Sequence, residues 1–187
     1  MSEDIRVWDI FVRVFHWSLV VTVLIALLTE DDFLSLHVYA GYGAGLLIMV
    51  RIVWGVVGPR HARFSDFIYS PATVIGYLRD LRKKSAIRYL GHSPAGGAMV
   101  IVLMVVVLLN VVTGLATYGA EEHAGPLAAY FADSGHFTRN LLEEVHETLA
   151  SALWLVIALH VAGVIYSSFV HRENLVPAMF TGMKRKL

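Results

Sequence analysis

Hydrophobic and polar positions fall in long blocks along this chain. Four stretches are almost free of charge, at about 14–28, 36–57, 97–118 and 148–170. A helix rises about 1.5 Å per residue, so about 20 apolar residues cross the roughly 30 Å hydrocarbon core of a bilayer. Each stretch reaches or nearly reaches that length. The first is short at one end and is expected to begin within residues 8–13. Only helices and closed barrels leave no backbone group unpaired in lipid, and runs without period-two alternation exclude the barrel. The pattern therefore predicts an all-α integral membrane four-helix bundle. It forms one domain over 1–187, with helices at about 8–29, 36–57, 95–118 and 144–170. Arg13 precedes the first run as a basic residue precedes a signal peptide, but the run ends in Thr29-Glu30-Asp31-Asp32 with no small-x-small site. The segment is expected to be retained.

The connections differ in character. In the 58–92 loop, Val74, Leu78 and Leu81 recur at helical spacing beside Arg79, Arg82 and Lys83. That pattern fits a short amphipathic helix on the inner leaflet, and equally an ordinary positively charged loop. The 119–143 connection holds Gly119, Gly125, Pro126 and Gly135 and reads as a structured or mobile loop rather than a span.

Composition agrees with a membrane protein: 57% hydrophobic, 16% charged, mean hydropathy +0.63 over 187 residues. Net charge is zero, but its distribution sets an orientation. Arg6, Arg13, the cations of 58–92 (Arg60, Arg63, Arg79, Arg82, Lys83, Lys84 and Arg88) and the tail Arg172, Lys184, Arg185 and Lys186 share one side. Of the 15 Lys and Arg residues only Arg139 falls in a loop on the other, and Arg51 lies inside the second helix. The positive-inside rule places both termini on the cytoplasmic side. The outer loops carry Glu30, Asp31, Asp32, Glu121, Glu122, Asp133, Glu143 and Glu144. With no cysteine, disulfides, iron–sulfur clusters and covalent haem attachment are excluded, so any haem is b-type and held by axial ligands and packing.

Histidine spacing supplies the chemistry. His146 and His160 lie 14 residues apart in one apolar segment, a rise of about 21 Å that ends about 40° short of four full turns. The two rings share a helix face and nearly bracket the membrane. Depth estimated from helical rise pairs His37 with His146 near the outer side and His16 with His160 near the inner side. A lone membrane histidine is often an interhelical hydrogen-bond donor. A proton relay recruits carboxylates within the spans, which these lack, and zinc wants three or four ligands at one level. Two bis-histidine haems at two depths fit the pairing.

Other residues are candidates for cofactor contact. Arg51, also 14 residues from His37, falls at the inner level, where it could pair with a haem propionate or reach the cytoplasmic interface. Gly41 and Gly45 below His37 offer a shallow trough for a flat ring, or plain helix packing. Asn110 and Thr113 are explained by interhelical hydrogen bonds. His92, at the inner start of the third helix, could bond a propionate or a quinone, or simply be solvated. The quinone site is expected at the inner edge, around Arg51, His92 and the end of the fourth helix. His61, His123, His136 and His171 need no special role.

These residues also form a recognisable series. It runs Val7-Trp8-Asp9, Arg13-x2-His16-Trp17, Leu36-His37-x3-Gly41, Arg51-x2-Trp54-Gly55, Gly91-His92-Ser93-Pro94-x-Gly96-Gly97 and His146-Glu147-x12-His160. It resembles the bacterial cytochrome b561 family over essentially the whole chain. The branch in view includes the cytochrome b subunits of nickel–iron hydrogenases. The tail Arg172-Glu173-Asn174-Leu175-Val176-x3-Phe180-Thr181-Gly182 is similar to that of short stand-alone members. The resemblance implies a di-haem electron carrier working with a quinone pool. Its haems would be ligated between first and fourth and between second and fourth helices, with Arg13 also near the cofactor.

Three functions follow. The first is electron transfer between quinone and an extracytoplasmic redox partner such as a c-type cytochrome or hydrogenase. The second is a free-standing superoxide/quinone oxidoreductase, which wants cations near the outer haem. The third is a non-redox membrane anchor whose histidines only pack. Lipid is a partner in every case, nucleic acid in none, and homo-oligomers are compatible with the pattern.

Overall fold

The computed structural model describes residues 4–29 and 33–186, so the acidic trio Glu30, Asp31 and Asp32 lies outside the described residues. Four helices are long and apolar enough to cross a membrane: α1 (Ile10–Thr29), α2 (Leu34–Val57), α5 (Pro94–Glu121) and α7 (His136–His171). Between α2 and α5 lie a 3₁₀ turn at Arg60–Ala62 and two shorter helices, α3 (Phe64–Phe67) and α4 (Pro71–Arg82). α6 (Ala128–Phe131) precedes α7, and α8 (Ala178–Thr181) follows it. The chain is an all-α, multi-pass membrane protein. Its outward helix positions carry large exposed apolar residues such as Val21, Leu28, Leu46, Met49 and Leu159, as lipid-facing surfaces do.

Local chemistry sets the helix starts. Asp9 caps α1, its Oδ1 accepting from the Val12 amide at 2.9 Å. Ser70 caps α4 ahead of Pro71, and Ser93 caps α5 ahead of Pro94, accepting from Gly96 N at 3.2 Å. α7 starts at His136, eight residues before the expected 144. Nothing after Gly135 breaks a helix, and hydropathy marks only the part of a helix that meets lipid. Arg139 satisfies the preceding turn, donating to the Ser134 and Ala132 carbonyls at 2.9 and 3.3 Å. In α4 the expected single apolar face is split. Tyr77 and Leu81 are buried, whereas Leu78 and Ile75 are exposed.

Contacts divide the chain into two compact units. The first comprises the chain up to Ser18, Met49–Val102 and the chain from Ala158 onward. Its apolar core gathers Val7, Trp8, Val12, Ala62 and Ala178, with Phe11, Trp54, Leu90 and Met179 against them. Both chain ends are tied into it. β1 (Asp4–Arg6) pairs antiparallel with β2 (Met183–Arg185), Ile5 opposite Lys184, and the Val7 and Trp8 amides donate to the Gly182 carbonyl at 2.8 and 3.1 Å. Gly182 is left-handed, φ 78°, and a Cβ there would come within 2.5 Å of the Trp8 carbonyl oxygen. Only glycine fits that turn.

A polar knot fastens the tail. Arg88 makes a forked pair with Glu173 at 2.8 and 2.7 Å and also donates to the Arg185 carbonyl. The Lys184 ammonium donates to the Tyr89 and Leu90 carbonyls at 3.1 and 3.0 Å and lies 3.8 Å from Glu173. The second unit, Leu19–Ile48 with Leu103–Ile157, has an apolar interior built on Val23, Leu27, Ala40, Ala44, Ile48, Val107 and Leu153. Asn110 crosses it, donating to the Leu149 carbonyl at 3.2 Å.

The knot makes acid stability testable. Burial favours the neutral Glu173, but hydrogen bonds from Arg88 and the nearby Lys184 and Arg88 charges outweigh it and hold the carboxyl below its ordinary 4.5. A depressed folded pKa gives stability that is complete above about pH 4.5 and is lost as pH falls through the folded value. Glu173→Ala is expected to cost roughly 3 kcal/mol at neutral pH and to flatten the acid limb of the unfolding profile. Thermal midpoints of both proteins across pH 3–7 check this.

Candidate functional site

The second unit brings His37 and His146 together. Their ring centroids are 6.0 Å apart and their planes stand at 86°. His37 is the fourth residue of α2, and its Nδ1 lies 2.9 Å from the Ala26 carbonyl oxygen. Ala26 lies near the end of α1, and its carbonyl oxygen can only accept, so it takes the Nδ1–H. His146 lies ten residues into α7 rather than at its start. Its Nδ1 is 3.1 Å from Thr113 Oγ1. Thr113 directs its own hydroxyl proton to the Leu109 or Asn110 carbonyl, at 2.8 and 3.1 Å, and so accepts from the ring. Both imidazoles are thus held with Nδ1 protonated, leaving each Nε2 lone pair free to act as a ligand.

Around these rings lies an open-sided apolar crevice with a cavity of about 90 Å³. Val23, Ala26, Leu27, Gly41, Val107, Gly114 and Leu153 contribute to its walls. Gly41 faces open space, with nothing within 4 Å of where a Cβ would stand. Gly45 instead packs on α5, its Cβ position 3.0 Å from Val111 Cγ1. Gly114 seats the His146 ring, since a Cβ there would meet Cε1 at 2.9 Å.

These observations fit a haem. Two imidazole nitrogens each about 2 Å from one shared ion put ring centres roughly 6 Å apart. An iron already held by four ring nitrogens requires two more ligands, and these histidines come as a pair. Among the described residues no group of three or more metal-ligating side chains gathers.

The first unit holds the other two histidines. His16 and His160 lie within electrostatic range of each other. His16 Nδ1 is buried without a hydrogen-bond partner, and its ring stands edge-on to Trp17 at 5.0 Å. Trp17 donates to the Met179 carbonyl at 3.2 Å and stacks on Phe180 at 4.4 Å, so the chain end braces this histidine's helix.

Arg51 is 2% exposed and does not reach solvent. One guanidinium nitrogen donates to the Ala62 carbonyl at 3.0 Å, and the charge lies 5.1 Å from the Phe64 ring centre and 5.9 Å from that of Phe67. The other terminal nitrogen, NH1, is buried with no partner. His92 is wedged between Trp8 and Phe67, at 4.6 and 4.4 Å, with Nδ1 sheltered and unpartnered. Burial first, then the Arg51 and Lys184 charges, push its pKa down to about 3, so the ring is neutral at physiological pH. Arg13 binds the Phe180 carbonyl through NH1, while its Nε is buried and unpartnered. Arg13, Arg51 and His92 thus supply unused polar atoms within the first unit.

Some features lay beyond the sequence reading. Thr113 makes an interhelical hydrogen bond, as expected, but the sequence did not show that its partner is the His146 ring. His61 pairs with Asp66 at 3.0 Å instead of standing free. A polar residue three positions from another, inside an otherwise apolar helix, was the only sequence signal of the Thr113 role.

No curated protein and no solved structure matches the chain. The family model described as prokaryotic cytochrome b561 matches residues 7–182. That family binds b-type haem and moves electrons across membranes, in keeping with the paired histidines and the four spans. The chain belongs to the prokaryotic cytochrome b561 family.

Proposed function

We propose that the chain holds two b-type haems, one between His37 and His146 and one between His16 and His160. With both termini cytoplasmic, it conducts electrons between an extracytoplasmic redox protein and the quinone pool of a bacterial inner membrane. The His37–His146 pair carries this reading, because both rings are anchored at Nδ1 and separated as one shared ion requires. When bound, a haem held by these histidines would supply one-electron transfer. The protein's part is to hold each imidazole in one tautomer, exclude water with apolar walls, and offer the unused Arg51 and His92 nitrogens to carboxylates on the inner haem. Fixed donors there oppose the negative charge that desolvation would otherwise penalise.

The exposed Glu121, Glu122, Asp133, Glu143 and Glu144 favour a basic partner surface such as that of a c-type cytochrome, and salt would slow its association. Superoxide oxidation is the weaker reading. Arg139, the one cation of the outer loops, is engaged by two carbonyls and offers little to an approaching anion.

Haem extraction and visible spectra of purified protein should give two low-spin b haems per chain. His37→Ala or His146→Ala should remove one and leave the other, with His16→Ala or His160→Ala doing the converse. Loss of both from every folded variant would undo the two-site assignment. Thr113→Val should keep the outer haem but raise its midpoint potential, because a ring that no longer donates from Nδ1 is a less basic ligand. A redox titration showing no change would remove Thr113 from the site. Arg51→Gln should lower the potential of the inner haem alone, on the order of tens of millivolts for a lost charge near the ring.

A further inference from the structure

The end of α7 carries a feature that electron transfer does not use. α4 stops at Arg82 and α7 at His171, and each is followed closely by a left-handed residue, Lys84 at φ 57° and Arg172 at φ 49°. Glycine usually fills such positions. Here both are exposed cations, and both line one crevice with Ser168, Phe169 and Val170. The Lys84 ammonium stands 5.3 Å over the Phe169 ring. Among the described residues neither cation forms an ion pair. The nearby carboxylate Glu173 is already taken by Arg88 and Lys184.

Beneath the crevice Val161, Ile165 and Phe169 follow one another at i, i+4 and i+8 along α7, 50%, 63% and 68% exposed. That spacing forms a single outward apolar strip on a helix that crosses the membrane. α4 is fixed beside it, with Tyr166 Oη donating to the Leu81 carbonyl at 3.3 Å and Tyr77 Oη 3.1 Å from His171 Nε2.

We infer that this crevice binds one anionic phospholipid, its phosphate between Lys84 and Arg172 and an acyl chain along Phe169, Ile165 and Val161. Charge complementarity selects the anion. Two cations with no protein counterion, set at the end of a span, meet the phosphate level of a leaflet. The apolar strip selects a lipid over a free anion, since inorganic phosphate gains nothing from it. The nearby cations Arg79 and Arg82 of α4 and Lys83 just after it are exposed but lie outside the crevice lining, and so add only diffuse attraction.

The test uses the whole purified protein in neutral detergent. Phosphatidylglycerol, phosphatidylcholine or inorganic phosphate is added, and bound lipid is counted by native mass spectrometry alongside the thermal midpoint. Phosphatidylglycerol should be retained and raise the midpoint, and the other two probes should not. K84Q/R172Q should weaken retention about thirtyfold, from roughly fivefold per cation, whereas R79Q/K83Q should leave it within a few-fold. The single variant R172Q, about fivefold weaker, serves if the double variant does not fold. Equal loss in the two double variants would reduce the site to diffuse attraction and overturn the proposal. So would unchanged retention by K84Q/R172Q, or a midpoint raised as much by inorganic phosphate as by lipid.

Discussion

An imidazole inside a membrane has no water to bond, so the protein must satisfy both of its nitrogens. Much of the second unit follows from that constraint. The Ala26 carbonyl near the end of α1 accepts from His37. His146 is held differently. A threonine, itself satisfied by its own helix backbone, does the same task from the middle of α5. Two unrelated solutions give one chemical result, a ring with Nδ1 occupied and Nε2 free. On the proposed reading, the crevice beside the rings, with Gly41 leaving its near wall open, is where an acceptor for the two lone pairs would sit.

The two units are held by different forces. The second has an apolar interior and few polar crossings, of which Asn110 to Leu149 is one. The first adds a strand pair, a left-handed glycine and the Arg88–Glu173–Lys184 knot. Solvent-side polar groups can bond water when unfolded, so each such contact gains little alone, and the knot works because its members are sheltered together. Its consequence reaches the inner histidine. The tail it fastens contains Met179 and Phe180, which hold Trp17, the neighbour of His16.

Much of the fold was legible because lipid imposes a simple rule on composition. Four charge-poor runs located the spans to within a few residues, except where helix continued past the membrane. There residues 136–143 mix polar and apolar side chains and gave no continuous hydrophobic run, and α7 proved longer at that end. Helical rise paired the histidines by depth, since spacing alone fixes height and face. What spacing could not give was side-chain partnership across helices. Thr113 and Asn110 looked alike as polar residues in α5, yet one supports a ring and the other bonds a backbone carbonyl. The amphipathic reading of α4 likewise missed that Tyr77 and Leu81 face protein while Leu78 does not. A helix lying against both protein and lipid has two apolar faces, which a single period cannot separate.

Arg51 shows the same logic applied to a cation. A buried guanidinium is costly unless its donors are matched. One terminal nitrogen has the Ala62 carbonyl, aromatic faces surround the charge, and Asp9 lies within electrostatic range. The second terminal nitrogen still has nothing, and the same holds for His92 Nδ1 and Arg13 Nε in the same unit. The neutral His92 ring can donate or accept, whereas the two guanidinium nitrogens can only donate. With His16 Nδ1, which is also buried and unpartnered, these atoms are an unusual burden for one unit. A carboxylate offers acceptors and a negative charge together, so one anionic substituent would relieve most of that cost. On the proposed reading, the polar atoms that look wasteful in the protein alone are the part of the fold already shaped for the inner haem.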